Sequence, residues 1–168
     1  MISRPPKTDD TSLNVWTREV QSEFNNYIQT LQVPVSKSGI IGNYAHGKHP
    51  TKPLTSGESA YFGFTVPHSL REFKEVTIRY IPTTTGTMSY TVNVSYGGVG
   101  EDENQNTATL SAVGVSVTDD QIMEINLSTP TDLFAAVDID DEVGIELKID
   151  SFTTTTDIQV MRLYVKYI

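Results

Sequence analysis

Three groups of side chains in this 168-residue chain have types and spacings that invite chemistry. Asp138, Asp140, Asp141 and Glu142 form a D-x-D-D-E run. Calcium takes several carboxylate and carbonyl oxygens, and such a turn could offer three of them. The glycine and the distal glutamate of an EF-hand loop are missing, so the run reads equally as a charged turn between strands. His46 and His49 form an H-x-x-H pair on a Gly-, Pro- and Lys-rich segment. That spacing binds a metal with support from further ligands and a helical backbone, so here it reads as two solvated loop histidines, or as one ligand per subunit at the axis of a trimer. The third group is Gly97 to Gln105, GGVGEDENQ. Its acids would repel a phosphate and no Lys-Ser/Thr follows, so it is a solvated loop and not a phosphate cradle.

Catalysis finds no anchor. A serine nucleophile would have to use His46, His49 or His68, and no G-x-S-x-G is present. A glycosidase needs two carboxylates across a groove, and nothing selects a pair among the 21 acidic residues. The absence of cysteine removes thiolate chemistry and disulfides. The chain therefore reads as non-enzymatic, with no catalytic residue, cofactor or metal assigned.

Charge narrows the partners. Residues 1 to 56 hold six basic and four acidic residues, whereas residues 57 to 168 hold six basic and 17 acidic ones. So acidic a region repels nucleic-acid backbones, and no basic stripe offsets it. No apolar core follows Arg4 and Lys7, and no apolar run is long enough to span a bilayer. The expectation is a soluble chain with no address for export, no membrane insertion and no nucleic-acid partner.

The elements that must position these residues divide into three stretches. After a polar, proline-bearing lead, Leu13, Trp16, Val20, Phe24, Tyr27 and Leu31 recur at helical spacing and predict a helix from Leu13 to Gln32, about 30 Å long. Its narrow apolar seam fits packing on its own domain, or packing on copies of itself for oligomerisation or docking. Residues 1–34 form this arm and helix, 35–56 a connector with a short strand at Ile40 to Tyr44, and 57–168 a β domain.

In that domain, strands are expected at Tyr61 to Val66, Thr107 to Val117, Ile122 to Leu127, Glu142 to Asp150 and Asp157 to Ile168, the last with a bulge at Met161. Ser69 and Glu72 resemble a capping box, and Leu133 to Val137 a short connecting element. Phe73 to Gly98 holds two alternating runs around a Thr/Gly turn and is expected to be a hairpin. The fold class is mainly β: an antiparallel, jelly-roll-like β-sandwich of about eight strands, preceded by one N-terminal α-helix. Tyr61, Tyr90 and Tyr96 alternate with the core residues, so some of them must be buried.

The KEVTIRYIP strand with its Thr/Gly turn, and the ending RLYVKYI, resemble β-sandwich virion structural proteins of tailed bacteriophages over residues 57–168. That resemblance implies a non-enzymatic head fibre, decoration or tail protein. It would form a homotrimer, meet other virion proteins through its N-terminal segment, and assemble in the bacterial cytoplasm. The alternative is a carbohydrate-binding module or receptor-binding domain that touches glycans, such as those of a host surface, through the loops at Gly97 to Gln105 or Asp138 to Glu142.

Overall fold

The computed structural model describes residues 28–37, 44–128, 133–154 and 157–168. Ten strands run in chain order: β1 (Gln29–Pro34), β2 (Tyr44–His46), β3 (His49–Leu54), β4 (Ser59–Thr65), β5 (Phe73–Pro82), β6 (Gly86–Gly97), β7 (Asn106–Val117), β8 (Met123–Asn126), β9 (Glu142–Phe152) and β10 (Ile158–Tyr167). They make two antiparallel sheets. One runs β2-β3-β10-β5-β8, with β1 also pairing β10; the other runs β4-β9-β6-β7.

The alternation seen in the sequence decides which side chains enter the core. Val143, Ile145, Leu147 and Ile149 of β9, and Met88, Tyr90, Val92, Val94 and Tyr96 of β6, face inward. They meet Val76, Ile78 and Tyr80 of β5 and Ile158, Val160, Leu163 and Val165 of β10 in one continuous cluster. Two sheets each apolar on one face have this way of hiding both, which is the sandwich. Burial pushes the Tyr80 and Tyr90 hydroxyls above the ordinary tyrosine pKa, so both stay neutral in the core.

Phe73 to Gly98 is not a hairpin. β5 pairs with β10 and β8, whereas β6 pairs with β7 and β9. The Thr83–Thr85 turn carries the chain from one sheet to the other, so the two inward rows face each other across the core. Alternation looks the same either way; each strand gains more by sitting centrally in its own sheet, with neighbours on both sides.

The N-terminal expectations also change. Gln29 to Gln32, expected to close a helix, lie in β1, which pairs with β10 from Gln29↔Tyr167 to Pro34↔Arg162. Leu31 satisfies the helical spacing but also a period of two with Val33, and burial of both against the core decides for the strand. Leu13, Trp16, Val20, Phe24 and Tyr27 lie outside the described residues. The expected connector contributes β2 and β3, and Leu54 is fully buried. Two prolines in β3 obscured it; each faces a neighbour on one side only, Pro50 opposite Ala45 of β2 and Pro53 opposite Gln159 of β10, the edge-like setting in which proline is tolerated.

One feature agrees closely with the sequence. β10 carries a register shift between Val160 and Arg162, leaving Met161 as the extra residue. The shift lies where β10 changes neighbours on one side from β3 to β1. The expected capping box of Ser69 and Glu72 does not form: the turn lies earlier, with Leu70 donating its N–H to the Pro67 carbonyl at 2.9 Å, Glu72 pairs with Lys74, and Phe73 already opens β5.

Candidate functional site

The outward face of the four-stranded sheet is polar, and its strand register arranges the side chains in rows that cross the strands. One row is Tyr61 on β4, Glu146 on β9, Asn93 on β6 and Thr109 on β7, each directly opposite the next. Hydrogen bonds join them. Tyr61 Oη donates to Glu146 Oε1 at 3.4 Å, Asn93 Nδ2 donates to Glu146 Oε2 at 3.0 Å, and Thr109 Oγ1 donates to Asn93 Oδ1 at 3.0 Å. Ser59 Oγ adds a fourth at 2.7 Å to Glu146 Oε1. Glu146 is thus an acceptor gripped on both oxygens. The bonds from Asn93 and Ser59 hold its carboxyl below the ordinary range, against the opposing effect of partial burial.

Beside this ridge lies a lower row: Gly63, Gly144, Ser95 and Thr107, again in register across all four strands. Beyond it stand Thr65 and Glu142, with Thr65 Oγ1 donating to Glu142 Oε1 at 2.7 Å, and the loop that follows β6. That loop folds tightly: the Asp102 carbonyl would lie only 2.6 Å from a Cβ at Gly97, so position 97 requires glycine. Ridge, low row and loop bound an open trough of about 670 Å³, lined on its far side by Asn104 and near β4 by Ser36. Among the described residues, no Lys, Arg or His lines it. Tyr61, 42 % exposed, presents a ring at its edge. A concave site with an aromatic surface and a few convergent polar groups has the composition of a small-molecule or oligomer binding site. A smaller notch of about 360 Å³, between the ends of β1 and β3, is lined by Val33, Pro34, Val35, Pro50 and Met161 with Arg162 at its side, and lacks such convergence.

The candidates from the sequence are placed as follows. In the acidic run, the buried Asp141 turns its carboxylate back on its own turn, accepting the Asp138 N–H at 2.8 Å. Asp140 has φ 67°, a conformation aspartate tolerates, and lies 3.3 Å from His68 Nδ1. Three side chains of this run are engaged: Asp141 on the turn, Asp140 with His68 and Glu142 with Thr65. His46 and His49 face each other across the β2–β3 pair, and His46 Nε2 is 2.8 Å from Asp120 Oδ1. Among the described residues no group of three or more His, Asp or Glu is arranged to hold a metal ion. Of the three tyrosines, Tyr90 and Tyr96 are buried and Tyr61 lines the trough.

Sequence reasoning missed Gly63, Asn93, Gly144 and Glu146. Their signal was available in part: glycines inside otherwise alternating strands mark bulges or close approach of another molecule.

No family model matches the chain, and neither does any curated protein sequence. Among solved structures it is similar to the CBM36-1 domain of a multidomain xylanase from the hindgut metagenome of Trinervitermes trinervoides, with 15% identity and a TM-score of 0.44 over 83% of this chain and 96% of that one. It is similar also to a family 11 carbohydrate-binding module from Clostridium thermocellum, with 8% identity and a TM-score of 0.44 over 82% and 87%. A family two carbohydrate esterase and a xylanase, both from Cellvibrio japonicus, match at 10% identity with TM-scores of 0.44 and 0.48. The chain spans 34% and 27% of their lengths. Likenesses this distant assign no family.

Proposed function

We propose that this protein is a non-enzymatic glycan-binding module whose ligand lies in the trough on the outer face of β4, β9, β6 and β7. The observation that carries this reading is the ridge itself: an exposed Tyr61 ring beside a carboxylate and an amide fixed by neighbouring hydroxyls. A sugar offers a C–H face that stacks on an aromatic ring and hydroxyls that donate to carboxylates and accept from amides. Side chains held in place before the ligand arrives lose little entropy on binding.

Hydrolysis fits the geometry poorly. Glu142 and Glu146 are four residues apart on β9, about 13 Å along the strand, beyond the ~9.5 Å upper limit for an inverting pair of carboxylates. A general acid also needs a raised pKa, and that of Glu146 is lowered. The site binds and does not cleave. The virion-appendage reading shares the sandwich with this one, and no described residue favours it separately.

The test is a glycan array followed by affinity electrophoresis in neutral polysaccharides. Retention should fall at least about tenfold, the factor given by 1.4 kcal/mol, in Tyr61→Ala and Glu146→Ala, and survive in Tyr61→Phe. An intact protein that binds no glycan, or binding indifferent to both alanine variants, would overturn the reading.

A further inference from the structure

The glycine pair on the trough floor calls for a separate explanation. Gly63 and Gly144 sit directly opposite each other in the interior of paired strands, and neither has a positive φ. Glycine in such a position weakens a sheet in comparison with alanine. Internal packing accounts for Gly144 in part, since a Cβ there would lie 3.3 Å from Ser95 Oγ. It does not account for Gly63, where a Cβ would meet nothing nearer than the Val143 carbonyl at 3.8 Å. The backbone conformation permits a side chain and the space accepts one. What a side chain at residue 63 would occupy is the trough.

Resting on the glycan-binding reading, we infer that the ligand is an uncharged linear polysaccharide that crosses the strands over Gly63, Gly144, Ser95 and Thr107 and is held along an internal stretch of its chain. The direction follows from the register, because the low row runs across all four strands and the ridge follows it on one side. Three inter-strand spacings make its length about 14 Å, enough for several linked sugar rings. At its Gly63 end the row is bordered by Ser36, a small exposed residue bridged to Tyr61, and at its Thr107 end by the edge strand β7, so a chain can pass over both. The charge class follows from the lining. Glu146 flanks the row, Glu142 stands across from it, and Glu101, Asp102 and Glu103 lie in the adjacent loop, with no cation among the described residues that line the trough. Uronic, sialic or sulfated sugars would bring like charge against them.

The deciding experiment uses the full chain and its Gly63→Val, Thr107→Tyr and Tyr61→Ala variants. Affinity electrophoresis is run in a panel of neutral polysaccharides and in polygalacturonate. Oligosaccharides of the retarding polymer, from monosaccharide to hexasaccharide and with the reducing end free or converted to the alditol, are then titrated by calorimetry. Gly63→Val should keep or raise the melting temperature, because valine suits a strand, while weakening polymer binding at least about tenfold. Thr107→Tyr, at an exposed edge position, should weaken binding independently. Affinity should climb with oligosaccharide length to a plateau, ignore reduction of the chain end, and be absent for polygalacturonate. Binding that needs Tyr61 but is unaffected by both trough-filling variants, that saturates with a monosaccharide, that is lost on end reduction, or that prefers polygalacturonate would overturn this inference and leave the glycan-binding reading standing. If no polymer retards the intact protein, both fall.

Discussion

A chain that begins at Gly57 should be strongly destabilised. By composition, residues 35–56 look like a detachable connector, yet β1 and β3 both pair with β10, the strand that also pairs along β5. Truncation removes Leu54, which is fully buried, and Val33, 5 % exposed. Burying side chains of this kind stabilises by about 1.5–3 kcal/mol each, together about 3–6 kcal/mol. Typical domains have about 5–15 kcal/mol in all. For a domain of this size each kcal/mol moves the melting temperature by about 2–4 °C, so the loss is about 6–24 °C. The bare flank of β10 adds a further liability as an unpaired edge. Thermal and urea unfolding of the shortened and full chains would measure this, with Leu54→Ala in the full chain as the point test, expected to cost about 2–5 kcal/mol. If the shortened chain melts cooperatively within about 3 °C of the full one, and Leu54→Ala costs under about 1 kcal/mol, then β3 is not part of the core.

Two further outcomes follow from particular residues. The lowered carboxyls of Glu146, bonded by Asn93 and Ser59, and of Glu58, bonded by Lys37 Nζ at 2.6 Å, contribute stability that is present above the unfolded glutamate pKa of about 4.3. It is lost as pH falls through their depressed folded values; melting curves between neutral and acid pH should therefore show a steeper acid fall in the intact protein than in Glu146→Gln, and parallel curves would refute the assignment. Deleting Met161 should leave the fold intact at a cost of about 1.5–3 kcal/mol for the lost burial, because Val160, Arg162 and Leu163 then read in, out, in. Deleting Tyr164 should instead turn Val165 and Tyr167 to the wrong face and abolish the cooperative melt; similar melts for the two deletions would show that the bulge does not set the register.

The site was harder to read than the fold. Its ridge comes from four strands whose members, Tyr61, Asn93, Thr109 and Glu146, are far apart in sequence, and each alone is an ordinary polar residue on the outer side of a strand. The acidic run drew attention because its residues are consecutive, but consecutive residues in a turn satisfy one another, as Asp141 does with Asp138. Tyr61 was visible as one of three candidates, and only packing separated it from Tyr90 and Tyr96.

What the sequence determined by itself is whatever a period of two encodes. It placed β4, β5, β6, β7, β8, β9 and β10 to within a few residues, put Val143, Ile145, Leu147 and Ile149 on one side, and required a bulge at Met161. It also set the acidic balance of residues 57–168. Tertiary structure decided which strands pair. Whether β5 meets β6 beside it or across the core, whether Leu31 belongs to a helix or to β1, and whether Gly63 comes to lie opposite Gly144 all depend on burial shared between distant segments. Local alternation tells a strand which face to hide. It carries no record of the neighbour that hides it, and the trough exists only once those neighbours are in register.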